Sequence, residues 1–319
     1  MTAVVCHSEA RTTSAQLPDL LSSCSAFELR TNRHCRTVSQ ASERWLAESG
    51  VALRSMAWRA AKPGLLAAVC YPSTDATQLR LIADFLSLLL YHDEQPPAPG
   101  SGGDDMLVLL SDRLSRMAYK NPGWYIRFHK SQRSCLAARQ LLRMNGLGAG
   151  SVAPDLESYI ELRRDASGFR MALDMIEYAG DLDVPETLFG NTLFRKLLDH
   201  ACDIAAWSED IVSCAKGISP AYRANIVTIL MKERNASLEG ALTSAGTLVK
   251  QSVDAFVGIE EALLAIPGLS ADRETQRYLQ GLRDWIAGYV NWLYETQLFL
   301  GEKGSEVRTF GWVFVPVSL

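Results

Sequence analysis

The chain has 319 residues, 48% of them hydrophobic and 21% charged, with a formal net charge of −4 at pH 7. This is the composition of a globular protein with a sizeable core, and its mildly acidic balance excludes a dedicated nucleic-acid binder, which needs a basic footprint. No apolar run reaches the roughly 18–20 residues that cross a bilayer; the richest, Leu86–Leu90, is core-sized, so no membrane span is expected. Seven cysteines are dispersed without a Cys-x-x-Cys pair, and five histidines without a His-x-x-x-His pair. That pattern disfavours zinc and redox motifs and fits a reducing cytosol, so a cytoplasmic protein is expected.

Residues 1–16 are polar, with no basic stretch leading into an apolar one, and read as a disordered leader rather than a secretory signal. From residue 17 to residue 319 helical periodicity dominates and the breaks are short. The predicted architecture is a single all-α domain, a helical barrel or bundle of about ten or more helices. In Gln78–Leu90, apolar residues cover a broad face, predicting a helix buried on most sides. It runs into the acidic pair Asp93–Glu94. Carboxylates at a helix C-terminus oppose the macrodipole at about 0.3–1 kcal/mol, a placement that suits either a hard cation or simply a solvated helix end. Gln95–Asp105, rich in Pro and Gly, is a loop and a candidate lid beside that pair.

Tyr159–Gly168 contains the adjacent Arg163 and Arg164, whose guanidinium forks match either phosphate oxygens or local carboxylates such as Glu161 and Asp165. Thr192–Ala206 predicts a helix that leads into Trp207–Gly217. Helical spacing there sets Glu209, Asp210, Ser213 and Lys216 on neighbouring faces, a set able to hold a metal and the phosphate it bridges, or to form an ordinary polar face. Ala224–Met231, Ala241–Ala265 and Arg277–Leu300 predict further helices, separated by breaks at Gly217–Ala221 and Ile266–Ala271. The tail Val313–Val317 is the main strand-like alternation.

These segments, taken in order, resemble the microbial class I terpene synthases, particularly fungal sesquiterpene cyclases, over roughly Leu17–Arg308. Leu17–Ser22, Ser42–Leu46 and Asp84–Leu86 look like that family's N-terminal half, and Asn291–Glu295 and Gly301–Arg308 like its C-terminal end. Tyr159–Gly168 is the most specific match, similar to the segment that carries the family's diphosphate-sensing arginine. The resemblance implies a helical fold around an apolar cavity for a prenyl diphosphate, with two motifs binding a trinuclear magnesium cluster. Metal and basic residues draw off diphosphate, and the carbocation cyclises against aromatic walls.

Position by position the match is eroded. Of the first motif, Asp-(Asp/Glu)-x-x-Asp, Asp93 and Glu94 remain and Pro97 takes the last place. Of the second, Asn-Asp-x-x-Ser-x-x-x-Glu, often with Lys before the Glu, Glu209 stands for Asn, Asp210, Ser213 and Lys216 match, and Gly217 replaces the final Glu. The C-terminal Arg-Tyr pair falls on Leu298–Phe299. The resemblance therefore implies Asp93, Glu94, Glu209, Asp210 and Ser213 as magnesium ligands, and Arg163 or Arg164 with Lys216 on the diphosphate. Phe85, Trp292 and Phe299 are the expected substrate-facing aromatics.

The expected activity is Mg2+-dependent ionisation of a prenyl diphosphate, farnesyl diphosphate in the first instance, followed by cyclisation. The lost ligands motivate two alternatives: a repurposed cyclase fold that couples a terpenoid to an amine or acid or works without diphosphate, and a non-catalytic binder of a small lipid. The partner is a small terpenoid or prenyl diphosphate rather than a nucleic acid. A homodimer is compatible with the sequence but not specified by it.

Overall fold

The computed structural model describes residues 11–49, 60–94, 107, 109–146, 155–217 and 225–317. Among these residues the fold is all-α apart from one two-stranded ribbon. Strand β1 is Arg11–Gln16, followed by α1 (Leu20–Ser23), α2 (Cys35–Glu48), α3 (Pro63–Cys70), α4 (Ala76–Glu94), α5 (Ser111–Lys120) and α6 (Pro122–Gly146). Then come α7 (Leu156–Ala166), α8 (Phe169–Gly180), α9 (Glu186–Gly190) and α10 (Thr192–Ser213), which tightens into a 3-10 turn at Cys214–Lys216. The chain continues with α11 (Ile226–Arg234), α12 (Leu238–Leu264), α13 (Pro267–Ala271), α14 (Arg273–Glu295), α15 (Gln297–Leu300), α16 (Gly304–Phe310) and β2 (Trp312–Val317).

Local chemistry explains most helix starts. A helix begins with orphan backbone donors, and a short polar side chain just before it satisfies them. Asp155, Asn191, Asn225, Ser237 and Asp272 cap α7, α10, α11, α12 and α14 in this way. Pro63 and Pro267 open α3 and α13, where a missing N–H costs nothing. The expected break at Ile266–Ala271 is thus a single helical turn. The expected helix Arg277–Leu300 is two helices, because Thr296 leaves helical geometry. Its hydroxyl accepts from Leu298 N at 3.3 Å and donates to the Ala61 carbonyl at 3.1 Å, so it caps α15.

One hydrophobic core runs through the described residues. Helix α10 lies along α12 and also meets α14, while α14 packs against α3 and α8. Its residues Leu282, Trp285, Ile286, Ala287, Tyr289, Val290, Trp292 and Leu293 are all buried, so α14 is a central element. No helix among the described residues is long and apolar enough to cross a membrane.

The expected leader needs correction. Arg11–Gln16 form β1, paired antiparallel with β2 in the register Ala15↔Val313 and Thr13↔Val315. Only Ala15 of this strand has a buried apolar side chain, so its sequence carries no strand signal; the partner strand supplies Val313 and Val315. Residues 1–10 lie outside the described residues.

Candidate active site

The last two turns of α10 carry the second acidic cluster. Asp210 is buried at 4% exposure, and both carboxylate oxygens are taken. Arg163 donates to one oxygen from Nε at 3.2 Å and from Nη2 at 3.1 Å. The other accepts from the Tyr159 hydroxyl and from the Ile226 backbone N–H at 2.9 Å. Burial pushes the Asp210 carboxyl above its ordinary range, with Arg163 and Tyr159 pulling the other way. Burial alone would depress Arg163, but Asp210 and Glu209 outweigh it and hold its guanidinium well above its ordinary value. Asp210 was expected among the metal ligands. With every lone-pair direction committed inside the protein, it is instead the anchor that fixes Arg163 and the start of α11.

Glu209, one residue earlier, points to a different face. It is half-buried, accepts from the Tyr289 hydroxyl at 2.5 Å, and lies 3.3 Å from Arg163 Nη2. Ser213 donates to the Asp210 carbonyl at 3.0 Å, and the Asn225 amide reaches both that carbonyl at 2.8 Å and the Ser213 oxygen at 3.3 Å. Asn225 also caps α11 through Val227 N at 2.8 Å, so one side chain ties the end of α10 to the start of the next helix.

The two adjacent arginines separate. Arg163 joins the Glu209–Asp210 pair, whereas Arg164 makes a bidentate pair with Asp203, 2.7 Å on each arm, with Asp199 3.8 Å away. Arg164 is therefore held about two helical turns back along α10 from the cluster where it was expected.

Aromatic rings line up beside Glu209. Tyr289 stacks on Trp285 with centroids 5.2 Å apart, meets Phe169 edge-on at 4.9 Å, and lies 5.5 Å from Trp292. Trp292 continues to Phe299 at 6.3 Å, and the exposed Lys216 ammonium sits 5.1 Å over the Phe299 ring. The Trp292 indole N–H donates to the Ala61 carbonyl at 3.0 Å, so its polar edge is turned to backbone. Phe85, fully buried on α4, belongs to another aromatic group: Phe128 is 5.8 Å away, and Trp124 stacks on Phe128 at 5.1 Å. Asp93 and Glu94 end α4, with their side chains outside the described residues, as are Pro97 and the expected lid Gln95–Asp105.

Tyr159, Tyr289 and Asn225 are the site residues that sequence reasoning missed. Tyr289 had a signal, since Trp285, Tyr289 and Trp292 form a stripe at helical spacing. Asn225 had another, the capping position before Ile-Val-Thr-Ile-Leu. Tyr159 had none beyond its place in the arginine segment.

Among the described residues no three His, Cys, Asp or Glu side chains converge on a point that a metal ion would occupy. The donor set at this wall is nevertheless of the right kind. Glu209 and Ser213 are spaced by one helical turn and present hard oxygen atoms, as Mg2+ prefers. The Ser213 hydroxyl spends its proton on Asp210, which leaves its oxygen able to donate to a cation. Glu209 and Ser213 thus fit a divalent ion, as a two-donor wall.

The fold is that of a terpene cyclase. Germacradien-4-ol synthase from Streptomyces citricolor superposes with a TM-score of 0.67 at 25% identity, covering 88% of this chain and 98% of that one. Hedycaryol synthase in complex with nerolidol gives a TM-score of 0.71 at 20% identity, over 83% and 96% of the two chains. Residues 69–255 match the family model described as terpene synthase family 2, C-terminal metal binding. Sesquiterpene synthase Agr1 of Cyclocybe aegerita is 34% identical, covering 92% of this chain and 90% of its own length. Sesquiterpene synthase 1 of Postia placenta is 32% identical over 92% of each. The chain belongs to the terpene synthase family, and it is a class I terpene synthase by fold and relatives. Neither the coupling enzyme nor the lipid binder gains support from these comparisons.

Proposed function

We propose that this protein ionises a prenyl diphosphate, farnesyl diphosphate in the first instance, and cyclises the resulting cation to a sesquiterpene. The observation that carries this is the junction at the end of α10. There two oxygen donors (Glu209 and Ser213), a buried guanidinium (Arg163) and the faces of Tyr289, Trp285, Trp292 and Phe299 meet within one region. The relatives named as sesquiterpene synthases support the chain length of the substrate.

The reaction breaks the allylic C–O bond with both electrons leaving on diphosphate. A π-bond of the same chain then closes on the cation, and loss of a proton gives the olefin. Mg2+, held by Glu209 and Ser213 on this wall and, as the family resemblance implies, by Asp93 and Glu94, would supply the charge that makes diphosphate a good leaving group. Arg163 stays charged in its buried setting and offers its fork to the departing oxygens; Lys216, beside Phe299, adds a second cation at the rim. Arg163 is shared with Glu209 and Asp210, so diphosphate competes for a guanidinium already aimed. The stacked rings then present π-faces to a cation that finds no water to quench it. Phe85 contributes as the buried support of the α4 wall. Dispersed cysteine thiols, Cys24, Cys35, Cys70, Cys202 and Cys214 among them, support a cytoplasmic enzyme.

The test is incubation of the purified protein with farnesyl diphosphate, with and without Mg2+, reading volatiles and released pyrophosphate. A magnesium-dependent terpene is expected. No product from C10, C15 or C20 prenyl diphosphates would sink the proposal.

A further inference from the structure

Glu209, Ser213 and position 217 are spaced by four, so an unbroken helix would align all three on one face. The chain does not continue that helix. It tightens into the 3-10 turn at Cys214–Lys216, closed by Gly217 N donating to the Cys214 carbonyl at 3.0 Å. Gly217 then turns out with φ +119°, a conformation that residues with a Cβ rarely adopt. A Cβ placed there would lie 3.4 Å from the Pro316 carbonyl oxygen and 3.5 Å from the Pro316 Cβ. The C-terminal strand is thus in ordinary van der Waals contact with position 217, and the strain a side chain would meet there lies in the backbone angle.

That strand is itself clamped. Val313 and Val315 point inward, at 4% and 0% exposure, and β1 pairs along its length, with Thr12 opposite Pro316. The Leu17 N–H donates to the Gly311 carbonyl at 2.8 Å, closing the ribbon at its inner end. Strand β1 packs on α12, and β2 packs on the 3-10 turn. On its other side the turn meets α15, where Lys216 covers Phe299.

We propose that this ribbon, made from both chain ends, is a positioning element of the active site, with Pro316 seated against Gly217 to hold the turn that presents Ser213 and Glu209. The two-donor wall is then a built feature, not a site one substitution short of three donors. A glutamate at 217 would meet unfavourable backbone geometry, and relieving it would loosen the wall. The inference rests on the reading of Glu209 and Ser213 as metal donors.

The test uses the full-length chain and two readouts. Mn2+ with inorganic pyrophosphate, the free ion followed by electron paramagnetic resonance, reports the metal wall; amide exchange over residues 213–217 reports the turn. Gly217→Glu is expected to weaken Mn2+ binding. Val315→Asp, which puts a carboxylate at a fully buried strand position, is expected to raise exchange over 213–217 and the Mn2+ dissociation constant each by about tenfold or more, with helical circular dichroism retained. Val315→Ile should restore both. Pro316→Gly, at a half-buried position, should move both readouts in the same direction by less. Tighter Mn2+ binding by Gly217→Glu would overturn the proposal. So would unchanged exchange and affinity in Val315→Asp and Pro316→Gly. A wild-type protein that binds no Mn2+ under these conditions would overturn the metal reading instead, and the exchange data would still judge the ribbon.

Discussion

Arg163 and Arg164 follow one another in the chain, yet their guanidiniums engage carboxylates seven residues apart on α10, Asp210 and Asp203. Successive helical residues are offset by about 100°, so neighbours diverge even though both reach the same helix. Asp203 and Asp210 are each buried, and either arginine's loss strands a carboxylate at a cost of about 3 kcal/mol or more. Stability alone therefore does not separate the two arginines. Catalysis does: Arg163→Ala should lower pyrophosphate release per folded molecule by about 100-fold or more, as loss of a charge-stabilising donor does. Arg164→Ala should destabilise while leaving the folded fraction active. Equal losses of turnover in the two variants would return Arg164 to the site. The sequence offered either arginine for the diphosphate. It left the choice open because it gives spacing without the rotation of α7 against α10.

At the scale of elements, α14 and α3 approach almost backbone to backbone. A Cβ on Gly288 would sit 2.4 Å from the Val69 carbonyl carbon and oxygen and 2.7 Å from Cys70 N. Main-chain atoms have no rotamer to escape into, so Gly288→Ala should destabilise by about 1–3 kcal/mol or more in urea unfolding. Gly258 makes the contrast. It lies in the exposed middle of α12 with nothing within 4 Å of its Cβ position. Gly258→Ala should stabilise by about 0.5–1 kcal/mol, from helix propensity alone. Similar effects in the two variants would contradict the close approach. Helix identities were legible because capping residues and apolar periodicity are local. Helix ends were less so: the α14 break at Thr296 depends on carbonyls offered by the segment before α3, and β1 exists only because β2 lies beside it.

At the scale of the whole molecule, global unfolding reports a half-buried acid outside the site. Burial pushes the Asp174 carboxyl up to about 7, against the opposing hydrogen bond from Ser131 at 2.7 Å. Its unfolded value is near 3.9. Between those values the unfolded chain has shed the proton and the folded one retains it, so stability present below about pH 4 is lost as pH rises to about 7. Asp174→Asn mimics the protonated form and escapes this loss. Its melting temperature relative to wild type should climb from pH 4 to pH 8, and a relative fall would mean that Asp174 is ionised in the fold, with Arg127 as its countercharge. By itself the sequence determined the all-helical class, the helices that carry both acidic motifs, and the family, because periodicity, capping and motif order are written in neighbouring residues. Only the tertiary structure decided that Arg163 faces the cluster, that Asp210 is spent as an anchor, that the Tyr289 hydroxyl bonds Glu209, and that Pro316 packs beside Gly217. Each of those joins residues tens of positions apart, and such contacts follow from how helices rotate and pack, which local spacing does not encode.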